Sequence, residues 1–202
     1  MRLNTPWSRL DEHLLEFTLG LALLLVGLFG VLFPVLGVTG PFAPLDSRPV
    51  EISGVTRVPE AVSAGGAVLG GTDQARLTFA DPDFQQRLLL ALPGIVGGLL
   101  LVLVLEQLMR MARSLRNGDV FARRNVTRLH VIAVGVLLIG LLEPLAEAIS
   151  TELLVHGTPL EDEVAFSFSF SGGYLLLALL VAALGEAFRR GAKLRDDTEG
   201  LV

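Results

Sequence analysis

Phe17–Val38 reads FTLGLALLLVGLFGVLFPVLGV and contains no charged residue. An apolar run of about 18–20 residues crosses the hydrocarbon core of a bilayer as a helix. Comparable runs follow at Leu88–Met109, Val131–Ile149 and Gly172–Phe188. Hydrophobic residues make up 51% of the 202, and the mean hydropathy is +0.62. That is too apolar for an ordinary soluble domain. The four runs predict an all-α integral membrane protein, a four-transmembrane-helix bundle forming one membrane domain over residues 1–202. The polar segment 39–81 is expected to form a small extracytoplasmic, β-containing cap.

Charge distribution predicts the orientation. Twelve basic residues fall in the N-terminal tail (Arg2, Arg9), the segment between the second and third runs (Arg110, Arg113, Arg116, Arg123, Arg124, Arg128) and the last tail (Arg189, Arg190, Lys193, Arg195). The first loop holds only Arg48, Arg57, Arg76 and Arg87, and the loop after the third run holds none. Under the positive-inside rule this bias puts both termini in the cytoplasm. Arginine outnumbers lysine fifteen to one, which fits a G+C-rich bacterial genome. The expected location is therefore the bacterial cytoplasmic (inner) membrane. The first run is expected to be retained: it is longer than a signal core, Asp11, Glu12 and Glu16 precede it, and no small-x-small cleavage site follows cleanly. Cysteine is absent, which removes disulfides, thiol catalysis and thiolate metal sites together.

Local patterns fill in the loops. Val50–Ser53 and Ala75–Phe79 alternate as strands do, with a turn-forming Ala64–Thr72 between them. Asp81-Pro82-Asp83 reads as a helix start, and the second helix is expected from about Pro82 to Asn117, bent at Pro93-Gly94. Gly94 and Gly98 form a small-xxx-small pair suited to close helix contact. Residues 164–171, VAFSFSFS, alternate strictly and predict a strand that carries Phe166, Phe168 and Phe170 on one face of a small outer sheet. In the fourth run Ala178, Ala182 and Gly185 share one side. Glu106–Arg110 and Glu186–Arg190 have the spacing of helix-end ion pairs.

Chemistry-bearing motifs are sparse. Glu143 and Glu147 lie one helical turn apart near the outer end of the third run. If that span ends near Leu142 they sit in the interface; if it continues, they mark an ion or proton path. His130 is expected at the mouth of the third span, and His156 in an acidic loop with Glu161 and Asp162 nearby. No metal-ligand spacing accompanies His130; His156 could join Glu161 and Asp162 on a cation, an exposed loop histidine being the default, and neither a metal nor a cofactor is expected. The glycine clusters lack the Gly-Lys-Ser/Thr ending of a phosphate loop, and neither Gly-x-Ser-x-Gly nor His-Glu-x-x-His occurs. A non-enzymatic protein is expected. The arginines of the inner loop suit a topogenic role better than a nucleic-acid one, so no direct nucleic-acid contact is expected.

Two cytoplasmic segments carry a resemblance. Ser114-Leu115-Arg116-Asn117-Gly118-Asp119-Val120-Phe121, followed by Asn125, Arg128 and Leu129, resembles an Arg-x-Gly-x-x-Phe…Asn…Arg-Leu signature. The tail from Glu186 to Asp197, EAFRRGAKLRDD, resembles the ending of the same family. That family is the group of small bacterial four-span membrane proteins catalogued as domain of unknown function 2975. Its members are often encoded beside a small helix-turn-helix regulator, so the resemblance implies a soluble regulatory partner and supplies no catalytic residues. On physical grounds Gly118 permits a tight reversal, Asp119 can cap the next helix, and Phe121 can bury against the bundle or insert at the interface. Arg116, Gly118, Asp119, Phe121, Asn125, Arg128, Arg190 and Lys193 are the candidate partner-binding residues. The expected partners are the lipid bilayer, such a regulator and a second copy of the chain. The leading expectation is a signalling or regulatory membrane protein; the alternative is a small transporter, or a transporter's membrane subunit, that uses Glu143 and Glu147.

Overall fold

A computed structural model of the chain describes residues 6–42, 45–53, 63–64, 67–68, 74–116 and 123–199. Helix α1 (Pro6–Leu25) runs into a π-helical segment (Val26–Leu32) and then α2 (Phe33–Thr39). Strands β1 (Ser47–Glu51), β2 (Ser63–Ala64), β3 (Ala67–Val68) and β4 (Gln74–Thr78) follow, then helices α3 (Phe84–Arg116), α4 (Arg123–Val155) and α5 (Gly172–Glu199). Four helical stretches are long and apolar enough to cross a membrane: Leu14–Thr39, Phe84–Arg116, Arg123–Val155 and Gly172–Leu194. At about 1.5 Å per residue, α3 and α4 are each roughly 50 Å long, well beyond a hydrocarbon core of about 30 Å. Large apolar side chains stay exposed along these stretches, Phe17 at 69% and Leu176 at 60% among them. Such surface suits lipid tails, which are as apolar as the side chains themselves.

Local chemistry sets the ends of the helices. At the start of α3 the Gln86 N–H donates to Asp83 Oδ1 (2.7 Å), and the Asp83 N–H donates to Gln86 Oε1 (3.0 Å). This reciprocal pair is a capping box, with Asp83 as the cap. The expected start at Pro82 therefore moves to Phe84, since the proline precedes the cap. Gly40 (φ 107°) closes α2 and Gly157 (φ 73°) follows α4. Both occupy the left-handed region that ends helices and favours glycine. Pro93 lies inside α3 and Pro144 inside α4. The helix continues through each, so α4 runs about three turns beyond Leu142.

The described residues fall into two compact units. The first lies within Met1–Phe33, Gly94–Glu143 and Phe170–Val202, and the second within Pro34–Pro93 and Pro144–Ser169. In the first, the core is Val104 of α3, Ile132, Val136 and Ile139 of α4, and Ala178 of α5. Small residues bring these helices close. A Cβ added to Gly98 would lie 2.5 Å from the Gly30 carbonyl oxygen, and one added to Gly140 would lie 2.5 Å from the Tyr174 Cβ. Gly185 stands over Leu129, and Ala178 and Ala192 are buried on α5, so the small-residue side of α5 is its packing side. Gly94, the other half of the expected small-residue pair, meets nothing within 4 Å; its neighbour Gly97 lies against Glu143 instead.

In the second unit β1 and β4 pair antiparallel, with Arg48 opposite Leu77 and Val50 opposite Ala75. β2 and β3 form a separate two-residue pair. Val50, Leu77, Leu90, Leu154 and Val155 form the core, which joins both strands to the flanking turns of α3 and α4. The sheet is smaller than the alternation of residues 164–171 predicts. Val164 makes a single bridge to Ile52, held by Ser53 N–H to Glu163 O (2.8 Å) and Ala165 N–H to Glu51 O (2.9 Å). From Ala165 to Ser171 the chain is irregular, and Phe166, Phe168 and Phe170 are exposed. Alternation fits a strand only where a neighbouring edge supplies hydrogen bonds, and β1 ends at Glu51. The expected boundary at Gly172 does hold, since α5 begins there.

Candidate functional site

The end of α3 and the start of α4 are tied by polar contacts. Asn125 has no exposed surface, and its Nδ2 donates to Ser114 Oγ (3.1 Å). Arg128 Nη1 donates to Asn125 Oδ1 and to the Arg110 carbonyl, both at 2.9 Å. A buried amide with its partners in place fixes the geometry of a junction, because leaving it unpaired is costly. Arg116 pairs with Glu16 of α1 (2.7 Å), which adds α1 to the same end of the unit. Gly118, Asp119 and Phe121 lie outside the described residues. Of the signature residues, Asn125 and Arg128 thus face inward and hold the hairpin, while Arg116 is exposed.

The start of α4 also meets the end of α5. Arg123, Val126, Arg189, Ala192 and Lys193 line a recess of about 230 Å³. On α5, Glu186 accepts from Arg189 (2.7 Å) and from Arg190 (2.9 Å), and on α3 Glu106 pairs with Arg110. The two spacings expected to give ion pairs do so; the Arg189 contact, three residues from Glu186, is an addition. These pairs neutralise part of the charge on the face, and Arg123 and Lys193 are exposed on it. His130 Nδ1 lies 2.8 Å from the Val126 carbonyl and is exposed at the same end.

Each of the two candidate glutamates lines a different cavity. Glu143 borders a groove of about 670 Å³ in the first unit, with Gly97, Gly98, Phe29 and Tyr174 among its other walls. Its carboxylate fills the space that a side chain on Gly97 would need. The π-helical segment contributes Val26, Phe29 and Gly30 to this groove. Widened helical turns of this kind recur at functional sites. Glu147 borders a cavity of about 310 Å³ in the second unit, together with Glu51, Thr151, Glu152, Ser169 and Phe166.

Arg48 organises the second unit, and the sequence reading counts it only among the loop charges. It is 6% exposed. One terminal nitrogen donates to Ser150 Oγ (2.6 Å), Thr151 Oγ1 (2.9 Å) and the Glu147 carbonyl (3.4 Å) of α4. The other donates to the carbonyls of Leu89 (2.8 Å) and Leu90 (2.9 Å) of α3. One side chain thereby ties β1 to both helices. Burial lowers the affinity of Arg48 for its proton, and the negative charge of Glu147 opposes that effect. A guanidinium stays charged in either case. The signal in the sequence was parity: Arg48 shares the inward face of β1 with Val50.

At the end of α4 and in the turn after it, Glu152, His156 and Glu161 offer ligand atoms within 4.8 Å of one another, and all three are exposed. The Gly157 N–H donates to Glu161 Oε2 (2.7 Å), and His156 Nδ1 lies 3.1 Å from Glu161 Oε1. The backbone hydrogen bond from Gly157, followed by the His156 contact, holds the Glu161 carboxyl below its ordinary range.

A family model described as "Protein of unknown function (DUF2975)" matches residues 57–202. No curated protein and no solved structure matches the chain.

Proposed function

The chain belongs to the DUF2975 family of proteins of unknown function, and from that premise we propose a non-enzymatic regulatory membrane protein that holds a soluble partner against its arginine-rich end. The observation that carries this reading is the meeting of α4 and α5 around Arg123, Arg189 and Lys193. Cationic side chains rim that recess, Val126 and Ala192 give it an apolar floor, and the Asn125–Ser114–Arg128 contacts hold the neighbouring junction rigid. A fixed, shaped, basic surface selects an acidic protein surface more sharply than a flexible tail does. The distribution of arginine supports a cytoplasmic position for this end, in a bacterial cell. The family resemblance suggests a small helix-turn-helix regulator as the partner.

Crosslinking pull-down from native membranes tests this. Wild-type protein is expected to capture a soluble DNA-binding protein, and Arg123→Glu with Lys193→Glu is expected to lose it while inserting normally. Retention of every partner by that variant, and by Phe121→Ala, would reduce the region to a hairpin between spans. A second reading, transport, draws support from the cavities beside Glu143 and Glu147. It requires ion or proton flux in proteoliposomes that falls on Glu143→Gln.

A further inference from the structure

The cavity beside Glu147 has a composition that defines a ligand. Its volume of about 310 Å³ lies at the lower end of the range for small-molecule sites, about 300–1,000 Å³, and far exceeds the needs of one water. Three carboxylates border it, all of them exposed at its mouth: Glu51 from β1, and Glu147 and Glu152 from α4. Among the described residues, no salt bridge or side-chain hydrogen bond engages any of the three. Arg48 is the buried cation beside it, with its terminal N–H groups committed to carbonyl and hydroxyl oxygens of α3 and α4, and the exposed His156, itself 3.1 Å from Glu161, stands near Glu152. Arg48 offsets part of the charge of Glu147 and leaves the recess negative overall.

The remaining walls decide between a bare ion and an organic one. Pro49, Val164 and Phe166 give the cavity an apolar side, and Thr151 and Ser169 add hydroxyls. A hydrated metal ion gains nothing from proline and phenylalanine, whereas a protonated amine on a short apolar body uses both kinds of wall. The Arg48 clasp fixes β1 against α4, so two of the acidic walls are held in place before anything binds.

We propose that this cavity binds a small organic cation, its ammonium group among Glu51, Glu147 and Glu152 and its apolar part against Phe166 and Val164. The site is independent of the partner at the arginine-rich end, so its failure would leave the regulatory reading standing, and the converse also holds.

The test uses the full chain in lipid nanodiscs and two amine probes, 2-phenylethylamine and 1,4-diaminobutane, followed by calorimetry. Saturable binding of at least one is expected. 2-Phenylethanol, the neutral analogue of the first, is expected to bind about tenfold more weakly or less, and phenylacetate not at all. Glu152→Gln and Glu147→Gln should each weaken amine binding about tenfold, the loss of one charge-assisted contact. Ser169→Phe leaves every carboxylate in place and fills the cavity, so it should abolish binding. If Glu147→Gln fails to fold, the other two variants still decide the question. The proposal is overturned if neither amine binds at millimolar concentration, or if amine and alcohol bind alike. It also fails if binding survives Ser169→Phe, or if magnesium or calcium alone occupies the acids and excludes the amines.

Discussion

Arg48 illustrates how much one side chain can organise. A buried guanidinium is costly to desolvate, and here five oxygen acceptors from two helices compensate it. Replacing it with methionine keeps the length and removes every donor. The expected loss is about 3 kcal/mol, the cost of leaving buried carbonyl and hydroxyl groups unpaired, measured by reversible unfolding in detergent. Arg48→Lys should recover little, since a single ammonium cannot reach both sets of carbonyls. A wild-type melting curve for Arg48→Met would refute the clasp. Glu161 gives a pH prediction. Its pKa is lower folded than unfolded, so its contribution is complete above the ordinary carboxylate range and fades as pH falls through the depressed value. Amide exchange at Gly157 should therefore lose protection in acid, and Glu161→Gln should show the low-pH behaviour at neutral pH.

Among the elements, helix contact through glycine is the feature most open to measurement. Gly98 has backbone against it, so Gly98→Ala must displace the Gly30 segment and should cost about 2 kcal/mol, as overpacking does. Gly94→Ala meets open space and should be neutral or slightly stabilising, because alanine is the better helix former. Equal effects of the two would contradict the packing described. The sequence placed both glycines in one small-residue pair and could not separate them, since partners lie on another helix. The same limit explains the residues 164–171, whose alternation is local while a strand needs a neighbour. By contrast, the start of α3 and the ion pairs of α3 and α5 were legible because each is complete within four residues of chain. Strands β1 and β4 were found with their ends displaced by a few residues, and Arg48 was passed over because its acceptors lie about 40 and 100 positions away.

For the molecule as a whole, four membrane-competent helices were evident from hydropathy alone, and the family match agrees with the resemblance carried by the arginine-rich hairpin and tail. The orientation rests on the arginine distribution. Because cysteine is absent, single-cysteine labelling has a clean background. Ser63→Cys is expected to react with a membrane-impermeant maleimide from outside intact cells, and labelling only after the membrane is opened would invert the topology. The residues proposed for a partner were only partly legible at this scale. Charge singled out the arginines and Lys193, but the inward turn of Asn125 required the fold.

The π-helical segment between Val26 and Leu32 also bears on how this chain can change in length. A widened turn absorbs one surplus residue without rotating what lies on either side of it. Deleting a single residue there should leave an ordinary α-helix whose flanks keep their facing. The same deletion in the middle of α4 would swing everything beyond it by about 100°. Insertions and deletions among related chains are therefore expected to gather at Val26–Leu32 and to avoid α4.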